Sequence, residues 1–429
     1  MTEVFAPGHG GKRRLVGKLL SLRGVNASNV ETIFGLLRPD VTIDRNVVSA
    51  TLERQLAPLQ SIIQLPLLNG GHFDWSVILV QDLLPHCVAS RGFGEIFQRA
   101  LETNPPNRSR PWRLILYIDE ITPGNPLRPD NRRKVVAFYA SFVELGFFLR
   151  MEEAWLTIGV LRTTQIKEIK GGLSGCVRHM LRHLLLGPRS ICTGGIAIPL
   201  PTPTILHVSF HKLIADEAAC KAAWCVKGAS GLRLCMDCKN VVAASVCSHD
   251  TSGYLVGIDC ADRDKFDPME EGDLVRSYDI LAAMVAENRR RNHIKNYEKA
   301  SGVNYEPDGL LADEELRPLV PPSSTVRDPM HVMLAGGVLN WEIYALLHAW
   351  ASCTPGFSYH TLKTFLEADW TWPKSSGSFA KIAEVRHVRV NRSPFKTFYT
   401  DRNNALCFFE PQILNRTWNI IVAGSRKCL

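Results

Sequence analysis

Two carboxylates stand where apolar segments of the chain end. Residues 114–118 form an uninterrupted apolar run that stops at Asp119, and a second strand-like segment stops at Asp216. If the two segments are neighbouring strands, both carboxylates meet at one edge of a sheet, where two or three of them can hold Mg²⁺ ions for phosphoryl transfer. Taken alone, each acid is also a good cap or turn residue. Glu120 and Glu217 are adjacent alternatives that would face the other side of a strand.

A cysteine motif follows the second acid. Cys235 and Cys238 form a C-x-x-C pair, and Cys247 and His249 come shortly after it. Two thiolates two residues apart can bind zinc from one tight turn, and a second Cys/His pair can complete the tetrahedron. The C-x-H spacing is uncommon, and a redox pair or simple packing are alternatives, although no thioredoxin-like pattern surrounds the motif. Three further cysteines compete as ligands: Cys220, Cys225 and Cys260.

A third motif, Asp-Pro-Met-His, begins at Asp328. Asp328 suits the N-cap of a helix and Pro329 suits its first position, so that His331 falls in the first turn. These helix preferences account for the motif without any function. A role for Asp328 and His331 in a site therefore needs support from elsewhere in the chain.

The segments around the first two acids predict a specific order of elements. A proline-rich break at 104–111 marks a domain boundary. After it come three segments rich in β-branched and aromatic residues, one segment with helical spacing, and a strand that runs into the second acid. In chain order these segments are residues 113–119, 134–145, 153–166, 172–187 and 204–216. This is the order of a ribonuclease H-like core, an α/β fold in which helices flank a mixed sheet.

The whole chain is expected to divide into four parts. They are an N-terminal accessory region, mostly helical and loop (1–108), the first part of the RNase H-like core (109–222), a zinc-type insertion with a helical linker (223–327) and a helical C-terminal part with an atypical tail (328–429). Within the third part, residues 279–300 predict one helix that turns strongly basic. Such a charge run is typical of a solvated helix face and also of a nucleic-acid contact.

Composition places few limits on the function. The chain has 429 residues, 45% hydrophobic content and a net charge of +8, which suits two or three domains and permits a polyanionic partner. The start, MTEVFAPGHGGKRR, has no apolar leader, and no stretch is long and apolar enough to span a membrane. We therefore expect an intracellular, reducing compartment, where the 12 cysteines serve as ligands or core residues rather than disulfides.

Taken together, the motifs resemble those of cut-and-paste DNA transposases of the CACTA and Kyakuja–Dileera–Zisupton kind. The resemblance covers roughly residues 110–350. It rests on four pieces in this order: LYIDEITPGNPL, HKLIADEAACKAAW, GASGLRLCMDCKNV and DPMHVMLAGGVLN.

The resemblance implies an RNase H-like core with a catalytic triad of acids. Asp119 would be the first acid and Asp216 the second, together holding Mg²⁺ or Mn²⁺. The implied chemistry is cleavage of a phosphodiester at a transposon end, followed by attack of the freed 3′-hydroxyl on target DNA. The implied partner is double-stranded DNA and the implied location is the nucleus, with the cytoplasm otherwise; a homo-oligomer is left open.

The other motifs match the family less fully. By the resemblance, Cys235 and Cys238 correspond to an inserted cysteine pair, and Asp328 and His331 match a D-x-x-H signature. The family's last acid is a glutamate on a later helix, but residues 393–412 do not have the expected helical pattern. The third acid is thus unidentified, and we expect a truncated or altered C-terminal tail. The candidates for the third acid are Glu410, Glu384 and Asp401.

Three functions follow from these patterns. The first is a transposase, active or decayed. The second is a non-catalytic protein derived from a transposase that binds zinc and nucleic acid. The third is an unrelated zinc-binding interaction scaffold. The relative positions of Asp119 and Asp216 discriminate between them, because both transposon-derived readings require the two acids on one face of the sheet.

Overall fold

A computed structural model of the chain describes residues 56–89, 91–121, 133–200, 202–257, 260 and 262–333, with a few single positions between 342 and 361. The described residues fall into two compact units. The first contains those up to Ile121 and Lys134–Val326, and the second contains Arg133 and the described residues from Arg327 onward.

The first unit is built on a mixed sheet. Seven described strands pair in the order β1-β2-β5-β4-β3-β8-β11. Their bounds are Ser61–Pro66 (β1), His72–Val77 (β2), Trp112–Ile121 (β3), Val135–Phe142 (β4), Leu156–Arg162 (β5), Val208–Ala215 (β8) and Thr325–Arg327 (β11). Two short pairs lie outside this sheet: Ile196–Ile198 (β6) with Thr204–Leu206 (β7), and Val241–Val242 (β9) with Val256–Gly257 (β10).

The centre of the sheet follows the predicted strands. β3, β4 and β5 form an antiparallel meander, and β8 lies parallel to β3 on its other side. Leu114, Leu116 and Ile118 of β3 alternate into the core, where each is at most 1% exposed. Gly159 of β5 lets the indole of Trp75 lie against the strand, since a Cβ there would come within 2.6 Å of that ring. The chain is therefore an α/β protein with a mixed sheet flanked by helices.

The N-terminal hairpin differs from the expectation of a region of mostly helices and loops. β1 and β2 pair antiparallel and extend the sheet through a contact of Val77 with Gly159. Both strands show the alternating burial that marks a half-buried hairpin. Gly70 and Gly71, both at positive φ, form the turn. The apolar runs are too short for their period to separate strand from helix in the sequence.

The proline-rich break at 104–111 does not separate two units. The indole of Trp112 packs on Phe97, with ring centroids 5.0 Å apart, and donates a hydrogen bond to the carbonyl of Asn104 at 2.8 Å. The expected boundary is thus a connection inside one unit.

Helices cover the sheet and connect its strands. Their bounds are Val80–Val88 (α1), Arg91–Thr103 (α2), Thr163–Ile166 (α3), Gly172–Leu181 (α4), Glu217–Ala223 (α5), Ala244–Cys247 (α6), Asp273–Ala286 (α7), Arg291–Ser301 (α8) and Pro329–Met333 (α9). α4 continues as a π-helical turn, Arg182–Leu186. Single 3₁₀ turns or short 3₁₀ helices are Ala57–Leu59, Val143–Arg150, Glu152–Ala154, Gly228–Ser230, Arg263–Lys265, Leu310–Ala312 and Pro322–Ser324.

Two helical predictions have different outcomes. The apolar stripe predicted for the α4 segment is confirmed, because its four residues are all buried: Val177, Leu181, Leu184 and Leu185. The single basic helix predicted for residues 279–300 is instead two helices, α7 and α8. The helical conformation is interrupted at Asn288, which adopts a positive φ of 53° just after the end of α7. In the described part of the chain, no helix is long and apolar enough to cross a membrane.

Candidate active site

Asp119 and Asp216 lie at the same edge of the sheet on neighbouring strands. β3 and β8 run parallel, and Ile118 of β3 is the register partner of Ala215 of β8. Asp119 directly follows Ile118, and Asp216 directly follows Ala215. Neighbouring strands are about 4.8 Å apart, so the main chain brings the two acids side by side, as the sequence predicted.

The two acids also share one face of the sheet. Ile118 and Ala215 point into the core, where they are 1% and 0% exposed. Side chains alternate between the faces of a strand, so Asp119 points to the opposite face. Asp216 keeps an extended backbone, with φ −66° and ψ 167°, and its side chain therefore alternates in the same way. Both acids are partly exposed, so solvent reaches them.

Asp216 has a structural role as well. It is the N-cap of α5, and its Oδ1 accepts a hydrogen bond from the backbone N–H of Ala219 at 2.6 Å. This bond is the capping role that the sequence offered as the simpler explanation. A carboxylate has two oxygens with about four acceptor sites. The cap therefore fixes the orientation of Asp216 without exhausting its capacity to bind a cation.

Aromatic side chains border Asp119 on the same face. Tyr117, two residues earlier in β3, stacks across the strands on Tyr139 of β4, with ring centroids 5.8 Å apart. Trp155 contacts the edge of Tyr117 at 5.7 Å. Burial raises the pKa of the Tyr139 phenol, and the negative charges of Asp119 and Glu152 raise it further. Tyr139 therefore stays a neutral phenol, able to donate a hydrogen bond, near the first acid.

Tyr139, Tyr117 and Glu152 were not predicted as part of a site. For Tyr139 a signal was present, because cross-strand pairing in an antiparallel meander places a β4 side chain beside one of β3. Using that signal requires the register, which the sequence does not contain. Glu152 precedes β5 in a 3₁₀ turn, and no pattern in the sequence connects it with Asp119.

The two alternative acids are engaged in ion pairs. Glu120 accepts from the Lys134 ammonium at 2.5 Å. Glu217 pairs with Lys221 at 2.6 Å, one turn along α5. Glu120 also belongs to the opposite face of β3 from Asp119. These ion pairs account for the two glutamates without a metal ion.

The chemistry of Asp119 and Asp216 fits Mg²⁺. Both donors are carboxylate oxygens, and Mg²⁺ commonly takes one or two carboxylates while keeping waters and substrate phosphate oxygens as its other ligands. Within the described ranges, no group of three or more His, Cys, Asp or Glu side chains is arranged to hold a metal ion. The three candidates for a third acid lie outside the described residues: Glu384, Asp401 and Glu410.

The predicted zinc ligands are not gathered into one group. The Cys235 Sγ accepts a hydrogen bond from the backbone N–H of Asp237 at 3.3 Å, while the Cys247 thiol donates to the carbonyl of Leu255 at 3.3 Å. Together with Cys238 and His249, these residues do not form a cluster of three donors in this part of the structure. As placed, they do not fit a zinc ion, and zinc binding stays a prediction.

The competing cysteines are distributed differently. Cys220 and Cys225 are buried. Burial raises the pKa of the Cys225 thiol to about 11, with smaller effects of its neighbours, which opposes the thiolate form that zinc binds. Cys260 is half-buried, and its thiol donates to the carbonyl of Asp262 at 3.6 Å. Packing accounts for the two buried cysteines.

Asp328 and His331 belong to the second compact unit. α9 begins at Pro329, as predicted, and the backbone N–H of Val332 donates to the carbonyl of Asp328 at 3.0 Å. The Asp328 carboxylate is 2.6 Å from Nδ1 of His331. The motif thus forms a helix start closed by an aspartate–histidine contact.

No family model matches the chain, and no curated protein matches it.

Proposed function

We propose that the chain is a transposase-like protein whose Asp119 and Asp216 serve Mg²⁺-dependent cleavage of DNA phosphodiesters. The observation that carries the proposal is the parallel register of Ile118 with Ala215, after which both strands present an aspartate. The α5 cap explains Asp216 alone, whereas a shared metal ion explains why Asp119 lies beside it on the same edge.

The strand order supports an RNase H-like core for this site. Three antiparallel strands, then helix α4, then a strand parallel to the first give the order β5-β4-β3-β8, and β11 is paired next to β8. In that arrangement Asp119 lies near the end of β3, two residues before Ile121, and Asp216 directly follows the parallel strand β8. The transposon-derived reading rests on this order together with the four sequence motifs.

The residues of the chain have separate tasks in the proposed reaction. Asp119 is fixed by a strand paired on both sides, and Asp216 by its hydrogen bond to Ala219. These two carboxylates would hold Mg²⁺, which when bound activates the attacking water or hydroxyl and stabilises the leaving oxygen. The neutral Tyr139 phenol lies near Asp119 on the same face of the sheet and is able to donate a hydrogen bond there.

The test compares the two aspartates of the proposed site with the glutamate that follows each of them in the chain. Asp119→Asn and Asp216→Asn each remove a carboxylate at the proposed site, and asparagine keeps the α5 cap. Glu120→Gln and Glu217→Gln remove the same charge one residue further along. Nicking of supercoiled plasmid DNA is measured for the full chain with Mg²⁺ or Mn²⁺ at equal protein concentrations.

We expect each asparagine variant to lose nicking roughly a hundredfold or more, since a metal-stabilised step depends on several kcal/mol of charge stabilisation. Both glutamine variants should retain it. Equal nicking by all four variants and the parent would refute the assignment. A parent that binds DNA and nicks none would favour the non-catalytic, transposase-derived reading instead.

A further inference from the structure

Helix α8 presents a row of cations to solvent. Arg291, Lys295 and Lys299 are all exposed and are spaced four residues apart. This spacing places them along one line of the helix surface, with about 6 Å of rise between successive residues. We call these three residues the α8 row.

The opposite side of α8 explains why the row faces outward. Ile294 and Tyr297 pack against the core, and Ser301 at the end of the helix is buried. These residues repeat at helical spacing and define the inward stripe. Exposed asparagines, Asn292 and Asn296, lie next to the row and add neutral hydrogen-bonding groups to the same surface.

The α8 row has no acidic partner in the described part of the chain. The one carboxylate of α8, that of Glu298, is committed to Lys227 at 3.3 Å and to the backbone N–H of Tyr305 at 3.0 Å. By contrast, three other exposed cations within residues 262–289 are paired: Lys265 with Asp262, Arg276 with Asp273 and Arg289 with Glu287.

An unpaired row of this kind costs the helix stability. Like charges at i,i+4 repel by about 0.2–0.5 kcal/mol per pair, and the row contains two such pairs. A polyanion that lies along the row removes this repulsion. The row is therefore a surface whose charge is complementary to a phosphodiester backbone.

Hydrogen bonds tie α8 to the segment that follows Asp216. The backbone N–H of Leu232 donates to the carbonyl of Lys299 at 2.8 Å. The backbone N–H of Lys227 donates to the carbonyl of Gly302, also at 2.8 Å. α5, which begins next to Asp216, has seven residues and so spans about 10 Å. One short helix and a short loop thus separate Asp216 from the residues that are hydrogen-bonded to the C-terminal end of α8.

We propose that the α8 row binds the phosphates of duplex DNA next to the phosphodiester held at Asp119 and Asp216. The identity of the occupant rests on the proposed function. The contact is made to phosphates, so it positions the duplex and carries no sequence preference.

The test measures DNA binding separately from cleavage. In the full chain carrying Asp119→Asn, the triple variant Arg291→Ala, Lys295→Ala, Lys299→Ala removes the row. A matched triple variant, Lys265→Ala, Arg276→Ala, Arg289→Ala, removes the same charge from paired positions. Fluorescence anisotropy with a duplex of about three helical turns gives the Kd at salt concentrations between about 50 and 200 mM.

We expect the row variant to bind at least about tenfold more weakly, and its slope of log affinity against log salt to fall by about 2 to 3, or roughly 0.9 per phosphate contact. The matched variant should change neither quantity appreciably. Lys295→Arg with Lys299→Arg should bind as the parent does, because the charges are kept.

Two results would overturn the inference. One is an equal loss of affinity in both triple variants, which would reflect net charge alone. The other is tighter, row-dependent binding of an RNA duplex of the same sequence, which would make RNA the occupant. Neither result depends on nicking. If Asp119→Asn nicks DNA as well as the parent does, the proposed function is refuted. If removal of the α8 row leaves DNA binding unchanged, only this inference is refuted.

Discussion

The sheet edge that carries Asp119 and Asp216 and the cysteine segment of residues 224–268 are held in place by different interactions. At the sheet edge, β3 is hydrogen-bonded on both sides, to β4 and to β8. In the cysteine segment the described strands, β9 and β10, have two residues each. The backbone ladder positions Asp119, and the ladder together with the cap of α5 positions Asp216. The cysteine segment depends instead on a few individual side chains.

Asn240 shows how the cysteine segment is organised. Its side chain is 1% exposed. The Nδ2 group donates to the carbonyls of Tyr254 and Lys265 at 2.9 and 2.7 Å, and the Oδ1 atom accepts from the N–H of Asp267 at 2.9 Å. One amide thus joins three loop positions. Because few buried contacts hold this segment, we expect it to open locally at a lower free energy than the sheet does.

The largest effect on stability is expected in the sheet. Phe138 of β4 is fully buried and packs on Trp75, with ring centroids 5.1 Å apart. Phe138→Ala should lower the free energy of unfolding by about 3–5 kcal/mol through lost burial and a residual cavity. Urea unfolding measures this loss. Val160→Ala, at a position of β5 that is 45% exposed, should cost less than about 1 kcal/mol.

A loss below about 1 kcal/mol for Phe138→Ala would mean that the sheet does not unfold as one cooperative unit with its core. The contrast with the cysteine segment would then disappear.

The same contrast explains what could be predicted from the sequence. The adjacency of Asp119 and Asp216 was predictable because apolar segments indicate strands, and two parallel neighbouring strands have their C-terminal ends at the same edge of the sheet. The hairpin of β1 and β2 was missed because its two six-residue strands are shorter than the span over which a period can be distinguished. Tyr139 was missed because its place beside Asp119 depends on the register between strands.

For the cysteine motif, the sequence shows the residue types and their spacing but not their arrangement in space. Whether Cys235, Cys238, Cys247 and His249 meet depends on turn conformations over a stretch of loops, and no period in the sequence reports those. Residue spacing identifies residues of the types that bind zinc, but it does not determine whether the loops bring them together.

A cluster of ion pairs joins the α4 region to residues 313–315, which follow α8 in the chain. Asp313, with a side chain 1% exposed, accepts hydrogen bonds from Arg178 and Arg182 of the α4 region at 2.8 Å each. Burial alone would raise the pKa of Asp313, but the hydrogen bonds from the two guanidiniums outweigh it and hold the pKa below its ordinary value.

Asp313→Asn should therefore lower the free energy of unfolding by about 1.5–3 kcal/mol at neutral pH. Because the folded-state pKa is depressed, the stabilisation is present above the ordinary pKa of about 3.9 and is lost as the pH falls through the folded-state value. The parent and the variant should thus converge in stability below about pH 4, as measured by urea unfolding at a series of pH values.

Glu315→Gln is the matched control for this prediction. Glu315 also pairs with Arg182, but its side chain is 66% exposed, so its removal should cost less than about 1 kcal/mol. A difference between the parent and Asp313→Asn that stays constant from neutral to acid pH would exclude the electrostatic origin.

A smaller and more local effect is expected at Asn240. Asn240→Ala leaves three backbone groups without their partner, yet the surrounding loops can open and hydrate them. We expect a loss of about 1 kcal/mol in global stability and faster hydrogen exchange over residues 250–268, with the exchange of β3 and β4 unchanged. Asn240→Asp keeps the acceptor for Asp267 but turns a carboxylate oxygen toward the carbonyls of Tyr254 and Lys265, so it should have the stronger effect on that loop. Faster exchange in β3 would show that the two regions are not independent.

The smallest effect is expected at the C-x-x-C pair in the absence of metal. Cys235 and Cys238 are only half-buried, and so replacing both by serine should change the free energy of unfolding by less than about 0.5 kcal/mol. The zinc prediction adds a second expectation. A ligand that binds the folded chain raises its stability by RT ln(1 + [L]/Kd), so zinc should raise the Tm of the parent and not that of the serine variant.

Zinc binding would also require the loops of residues 224–268 to close around the metal, because the described side chains do not form a group of three donors. Hydrogen exchange over this segment should then slow when zinc is added. An unchanged Tm and unchanged exchange in the parent would remove the zinc site and leave Cys235 and Cys238 as turn residues. The sheet edge would be unaffected by that result, since neither its register nor its two carboxylates depends on the cysteine segment.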